Sequence, residues 1–144
     1  MYGMIDHSAK IEAIRQKYGL RHHFSEEALF EAATLWGGSP NPCGVLPSER
    51  EVLFRNGLCS AGISLAETSK GHWLIGVSAS TSMGGFGYAP SVWDSFGYAS
   101  RHEARQAGIG QLLHFFQKED GNRPDIRMVL RVLESEKTPQ LSLF

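Results

Sequence analysis

Apolar residues recur along this chain with two periods, and the change of period divides it into three stretches. In DHSAKIEAIRQKYGL, Ile11, Ile14 and Tyr18 fall on one helical face, and Gly19 suits the C-terminal cap. FSEEALFEAATLWGG predicts a second helix: Ser25 caps it, Glu26 and Glu27 suit the positive end of its dipole, Phe24 can staple onto Leu29, and Gly37 and Gly38 end it. SPNPCGVLP has the composition of a loop. In SEREVLFRNG, Ser48 and Glu51 have the spacing of a capping box, which predicts a short third helix stopped at Gly57.

The middle stretch switches to period two. Ala61, Ile63 and Leu65 alternate with small or polar residues, TSKG is a turn, and Trp73, Ile75, Val77 and Ala79 alternate in the following run. Two such runs around a short turn predict a β-hairpin. TSMGGFGYAPS reads as a glycine-rich loop and VWDSFGY as a third strand. Helical spacing then returns. Ser100 and Glu103 form a capping box ahead of a helix whose buried stripe is Ala104, Ala107, Leu112, Phe115 and Phe116. Gly108 and Gly110 each cost that helix roughly 1 kcal/mol, a cost explained if they let it lie close to the sheet. The last helix has Pro124 in its first turn and Ile126, Val129, Leu130 and Leu133 on its inner face.

The expected class is therefore α+β, with N-terminal helices, a three-stranded antiparallel sheet covered by helices on one face, and C-terminal helices. Residues 1–137 are expected to form one domain, with a helical part (1–56) and a sheet-plus-helix part (57–137), and residues 138–144 a separate tail. The βββα order from Gly57 to Gln117 is similar in layout to double-stranded-RNA-binding domains and small antitoxin-like domains, and layout alone carries no function.

Composition narrows the classes. A chain of 144 residues, 42% apolar and 20% charged, can bury a core without metals or disulfides. Its net charge of −1 gives no global sign of a nucleic-acid binder. Cys43 and Cys59 form no CxxC pair, the six histidines show no metal spacing, and no apolar run is long enough for a bilayer. With no signal pattern in MYGMIDHSAK, the expectation is a cytoplasmic protein with reduced thiols and no membrane, metal or cofactor.

The most specific signal is the segment after Thr138-Pro139. Proline disfavours helix for the residue before it, and QLSLF, residues 140–144, is too short to fold alone. It resembles the peptide by which bacterial proteins bind the β sliding clamp, the processivity ring of DNA polymerase III, whose pattern is Gln, Leu, Ser or Asp, Leu, Phe. All five positions match, at the C-terminal location typical of the family. The resemblance implies that Gln140 hydrogen-bonds at the rim of the clamp pocket, Leu141 packs in its shallow part, Ser142 is a spacer, and Leu143 and Phe144 are the anchors. It implies a non-catalytic accessory or inhibitory protein of replication or repair, or of a phage or plasmid. The other reading of the same residues is that the tail folds back, as an edge strand or with Phe144 filling a gap in the core.

Other candidates lie in the body. Arg123, Arg127 and Arg131, spaced by four, can make a basic stripe with Arg101 and Arg105 nearby, suited to DNA phosphates, or they are a solvated face with an Arg131–Glu134 pair. Phe86 and Tyr88, among Gly84, Gly85 and Gly87, can stack on bases or grip a partner, or complete the core. His22, His23, His72, His102 and His114 have no partner at diagnostic spacing, Cys43 lacks a nucleophile signature, and Glu26, Glu27, Glu49 and Glu51 are explained as helix-start acids. No catalytic motif emerges. The alternative function is a small mobile-element module that inhibits a host defence complex or binds nucleic acid through its βββα body.

Overall fold

The computed structural model describes residues 3–137, so the expected tail motif, Gln140 to Phe144, lies outside the described residues. The class is α+β, built on an antiparallel sheet of six strands rather than three: β1 (Met4–Asp6), β2 (Glu49–Asn56), β3 (Cys59–Glu67), β4 (Trp73–Thr81), β5 (Gly84–Tyr88) and β6 (Phe96–Tyr98). The strand order is β1-β6-β4-β3-β2, and β5 pairs with the far half of the β4 edge that β6 also meets. Four helices accompany it: α1 (Ser8–Tyr18), α2 (Glu26–Trp36), α3 (Arg101–Gln117) and α4 (Pro124–Lys137).

Local signals set the helices. The Ser25 hydroxyl accepts from the Ala28 N–H, and Gly37 closes α2 in the left-handed region, at φ 83°. Ser100 accepts from the Glu103 N–H at the start of α3. The staple does not form: Phe24 ends a 3₁₀ turn (Gly19–Phe24) and stands 84% exposed.

The β3–β4 hairpin has the expected alternation, with Ile63 opposite Val77 and Leu65 opposite Ile75. These residues, with Ala61 and Ala79, form one core with Ala104, Ile109, Leu112 and Phe116 of α3 and Ile126, Val129 and Leu133 of α4. Gly108 admits this approach, since a Cβ there would meet Ile63 Cγ2 at 3.2 Å. Gly110 instead faces the Lys137 Nζ of α4, not the sheet.

Helices cover both faces, contrary to the one-sided expectation. Ala66 and Leu74 point away from α3, into a second core with Ile11 and Ile14 of α1 and Ala28, Ala32 and Trp36 of α2. The cause is legible in WLIGV, where Leu74 sits between Trp73 and Ile75 and makes that end of β4 apolar on both faces.

Two further stretches depart from expectation. Residues 49–56 form the edge strand β2, not a helix, so the N-terminal part is not all helical. GGFGY is strand β5 and not a loop, and only Phe96–Tyr98 of the expected third strand is extended. The chain leaves β5 by crossing over β4, so a Cβ at residue 76 would lie 2.3 Å from the Tyr88 carbonyl oxygen and 2.8 Å from Ala89 Cα. Backbone cannot give way as a side chain tip can, so Gly76→Ala is expected to cost about 2 kcal/mol. Gly121→Ala, at a site with nothing within 4 Å of the added methyl, is expected to leave the urea midpoint unchanged.

Candidate functional site

The alternation of β2 sorts its charges. Glu49 and Glu51 stand opposite Leu65 and Ile63, on the face covered by α3 and α4. There Arg101 Nε donates to Glu49 at 2.5 Å, and Arg105 donates from Nε and Nη2 to the two Glu51 oxygens at 3.0 and 2.7 Å. Arg105 also reaches Glu136 of α4 at 2.6 Å, which ties the edge strand, α3 and the end of α4 into one network. The guanidinium holds the Glu51 carboxyl below its ordinary range. The acids expected to cap a helix at 49 and 51 are thus strand residues that neutralise two of the five candidate arginines.

A third candidate is neutralised as well: Arg123 pairs with Asp125 at 2.8 Å and also donates to the Ser82 hydroxyl. Arg127 donates to the Asn122 carbonyl. Arg127 and Arg131 are exposed with no carboxylate partner among the described residues, and the expected Arg131–Glu134 pair is not among their ion pairs. The five arginines do not make a single stripe.

Phe86 and Tyr88 serve packing while staying about two-fifths exposed. Phe86 lies against Phe115 of α3, ring centres 5.1 Å apart, and the Tyr88 hydroxyl donates to Gln111. Phe86, with Tyr98, Gly110 and His114, borders a groove of about 570 Å³, and one turn before Gly110, Gln106 of α3 donates to the Glu136 carbonyl near the end of α4. A wider groove of about 970 Å³ runs along α2, between the exposed rings of Phe24 and Phe30 and the 37–42 loop, and its ionisable lining is His23, Glu26 and Lys70.

On the opposite face of β2 lie Arg50 and Arg55, which the sequence reading passed over. Arg50 is opposite Ser64 and Arg55 opposite Ser60, and between them Val52 faces Gly62. The signal was present as the run Glu-Arg-Glu-Val at period two, hidden by the capping-box spacing of Ser48 and Glu51.

No protein-family model, curated protein or solved structure matches this chain. Its chemistry therefore rests on its own residues.

The expected titratable residues are scattered. Among the described residues no group of three or more His, Cys, Asp or Glu is placed to hold a metal ion, and no helix is long and apolar enough to cross a membrane. Cys43 is exposed and free; Cys59 is free but 1% exposed, and burial pushes its thiol up. His22 packs edge-on to Trp93, and its Nε2 and the Nε of Arg15 are buried without partners among the described residues. Beside them Asp94, held by the Ser91 N–H at 3.2 Å, is pushed up to about 7 by burial against the opposing pull of Arg15. His7, edge-on to Trp36, is lowered by burial and then by its neighbours Lys10, His72 and Lys70. These groups are structural polar elements beneath α1 and α2, and neither groove gathers them.

Proposed function

We propose that this protein docks on the bacterial β sliding clamp through Gln140–Phe144, as a non-catalytic accessory or inhibitory protein of replication or repair or of a phage or plasmid. The observation that carries this reading is the five-position match of QLSLF to the clamp-binding pattern. The body supports the consequence. Helix α4 runs to Lys137, and Glu136 is fastened to α3 by Arg105 and Gln106. Three peptide steps separate Lys137 from Gln140, a reach of roughly 11 Å. A body held that close to the pocket obstructs other proteins that use the same clamp surface, so docking and competition go together. Leu143 and Phe144 supply the anchoring, at about 1.5–3 kcal/mol each before ordering costs.

The test is binding of the full chain to a bacterial β clamp beside a chain ending at Pro139. The truncated chain is expected to lose all measurable binding, and Leu143→Ala with Phe144→Ala to weaken it at least 100-fold, as roughly 3 kcal/mol requires. A fluorescent clamp-binding peptide should be displaced by the full chain and not by the truncated one. Equal binding by the two chains would place the contact in the body and end this reading.

A further inference from the structure

We propose that the uncovered half of the sheet, on the face away from α3 and α4, binds the phosphodiester backbone of nucleic acid through Arg50 and Arg55. The register lays three rows across this face: Arg50–Ser64, which ends where the chain after β5 crosses over Gly76, then Val52–Gly62–Ser78–Gly87 and Arg55–Ser60–Ser80–Gly85. None of them contains a carboxylate. Helices α1 and α2 cover this face only at its other end, over Ala66 and Leu74, and Arg50, Val52, Arg55 and Ser78 are exposed.

A distortion of the strand puts the second arginine there. Strict alternation from Arg50 would carry Arg55 to the opposite face, among the acids. The register instead slips between Val52 and Phe54, and Leu53 and Phe54 both pack against the helix-side core. This bulge returns Arg55 to the face of Arg50, a re-aiming of side chains that bulges characteristically produce. The edge strand thus spends its acids on Arg101 and Arg105 and leaves two guanidinium groups with no carboxylate partner among the described residues.

The shape selects the ligand. The dent at Gly62 holds only about 40 Å³, far below the roughly 300–1,000 Å³ of small-molecule pockets. The arginine rows are four β3 residues apart, about 13 Å by strand rise. A shallow strip of serine hydroxyls and glycine backbone, with a cation near each end, suits a ribbon of repeated negative charge. Guanidinium groups take phosphate oxygens in bidentate fashion, Ser78 supplies a hydroxyl donor while the Ser60 hydroxyl is held by Ser80, and Val52 gives a sugar an apolar contact. The exposed Val52 is too little apolar surface to enter a lipid interface, which argues for nucleic acid over an anionic membrane. This inference does not rest on clamp docking.

The test uses the full chain without any clamp, titrated onto short labelled single-stranded and duplex DNA between about 50 and 200 mM salt. Two phosphate contacts predict a logarithmic salt slope near −1.4 for single strands or −1.8 for duplex, and the arm with the tighter binding identifies the source. Arg50→Gln with Arg55→Gln is expected to weaken low-salt binding at least tenfold and flatten the slope. Arg127→Gln with Arg131→Gln, on the other side of the molecule, is expected to change neither. No binding by the unmodified chain, unchanged binding by the Arg50/Arg55 variant, an equal loss in both variants, or tighter arginine-dependent binding to phosphatidylserine vesicles than to either DNA would overturn the proposal. Because clamp binding is read in a separate experiment, either result can fail without the other.

Discussion

Replacing Trp36 by alanine is expected to remove about 3–5 kcal/mol of stability, a large share of the 5–15 kcal/mol typical of a domain. Trp36 is fully buried at the centre of the second core, where α2 meets the sheet. Its six-membered ring lies so close to β6 that a Cβ at residue 97 would sit 2.7 Å from it. His7 of the α1 N-terminus packs against it edge-on at 4.5 Å, and its indole N–H donates to the Asp94 carbonyl at 3.0 Å. Truncation thus leaves a large cavity and an unpaired carbonyl, and no neighbouring element can collapse without leaving its own layer. Trp36→Phe keeps most of the apolar contact and loses the hydrogen bond, so it should cost about 1–2 kcal/mol. Urea midpoints of the three proteins decide the matter. A cost below 1 kcal/mol for the alanine variant would mean that α1 and α2 contribute little to holding the sheet.

What was legible in the sequence followed the range of the interactions. Helices α1, α2 and α4 and the β3–β4 hairpin are specified locally, by amphipathic spacing, by Ser25, Gly19, Gly37 and Pro124, and by a short turn. Strand β2 was misread because Ser48 and Glu51 imitate a capping box, whereas pairing with β3 decides its state, and that partner is non-local. In β5 the glycines suggested a loop, yet they are what the pairing requires: a Cβ at residue 85 would come within 2.3 Å of the Ala79 carbonyl oxygen.

The site followed the same division. Arg101 and Arg105 looked like a basic patch beside their own helix because their neutralising partners, Glu49 and Glu51, are 52 and 54 residues away. Arg50 was legible in the period-two run of β2 but masked by the capping-box spacing, whereas the face of Arg55 follows only from the bulge between Val52 and Phe54, since a one-residue slip moves a side chain to the other face. The tail motif needed no fold to be read, because a linear peptide carries its recognition chemistry in sequence.

The second large effect expected is a pH dependence centred on Asp94. Burial raises its carboxyl from the ordinary 3.8 to about 7, while the Ser91 N–H and the charge of Arg15 pull the other way. A raised folded value means that between about pH 4 and 7 the folded chain retains a proton that the unfolded chain has released. The stability associated with neutral Asp94 is therefore complete below pH 4, falls as pH rises toward 7, and is gone above it. The full difference is about 2–4 kcal/mol. Asp94→Asn stays neutral throughout and keeps an oxygen to accept from Ser91. The variant should match the wild type at pH 4 and exceed it progressively, by about 2–4 kcal/mol at pH 8. The Glu51–Arg105 pair works in the opposite sense: its carboxyl is lowered, so its contribution is present above the ordinary value of 4.5 and lost as pH falls below it. Since that pair is common to both proteins, it cancels in the comparison, and a pH-independent gap between their urea midpoints would show that Asp94 ionises freely. The expected gap would instead link pH to the second core directly, because the peptide carbonyl of Asp94 is the partner of the Trp36 indole. Charging the carboxylate and truncating the indole would then strain the same junction from its two sides.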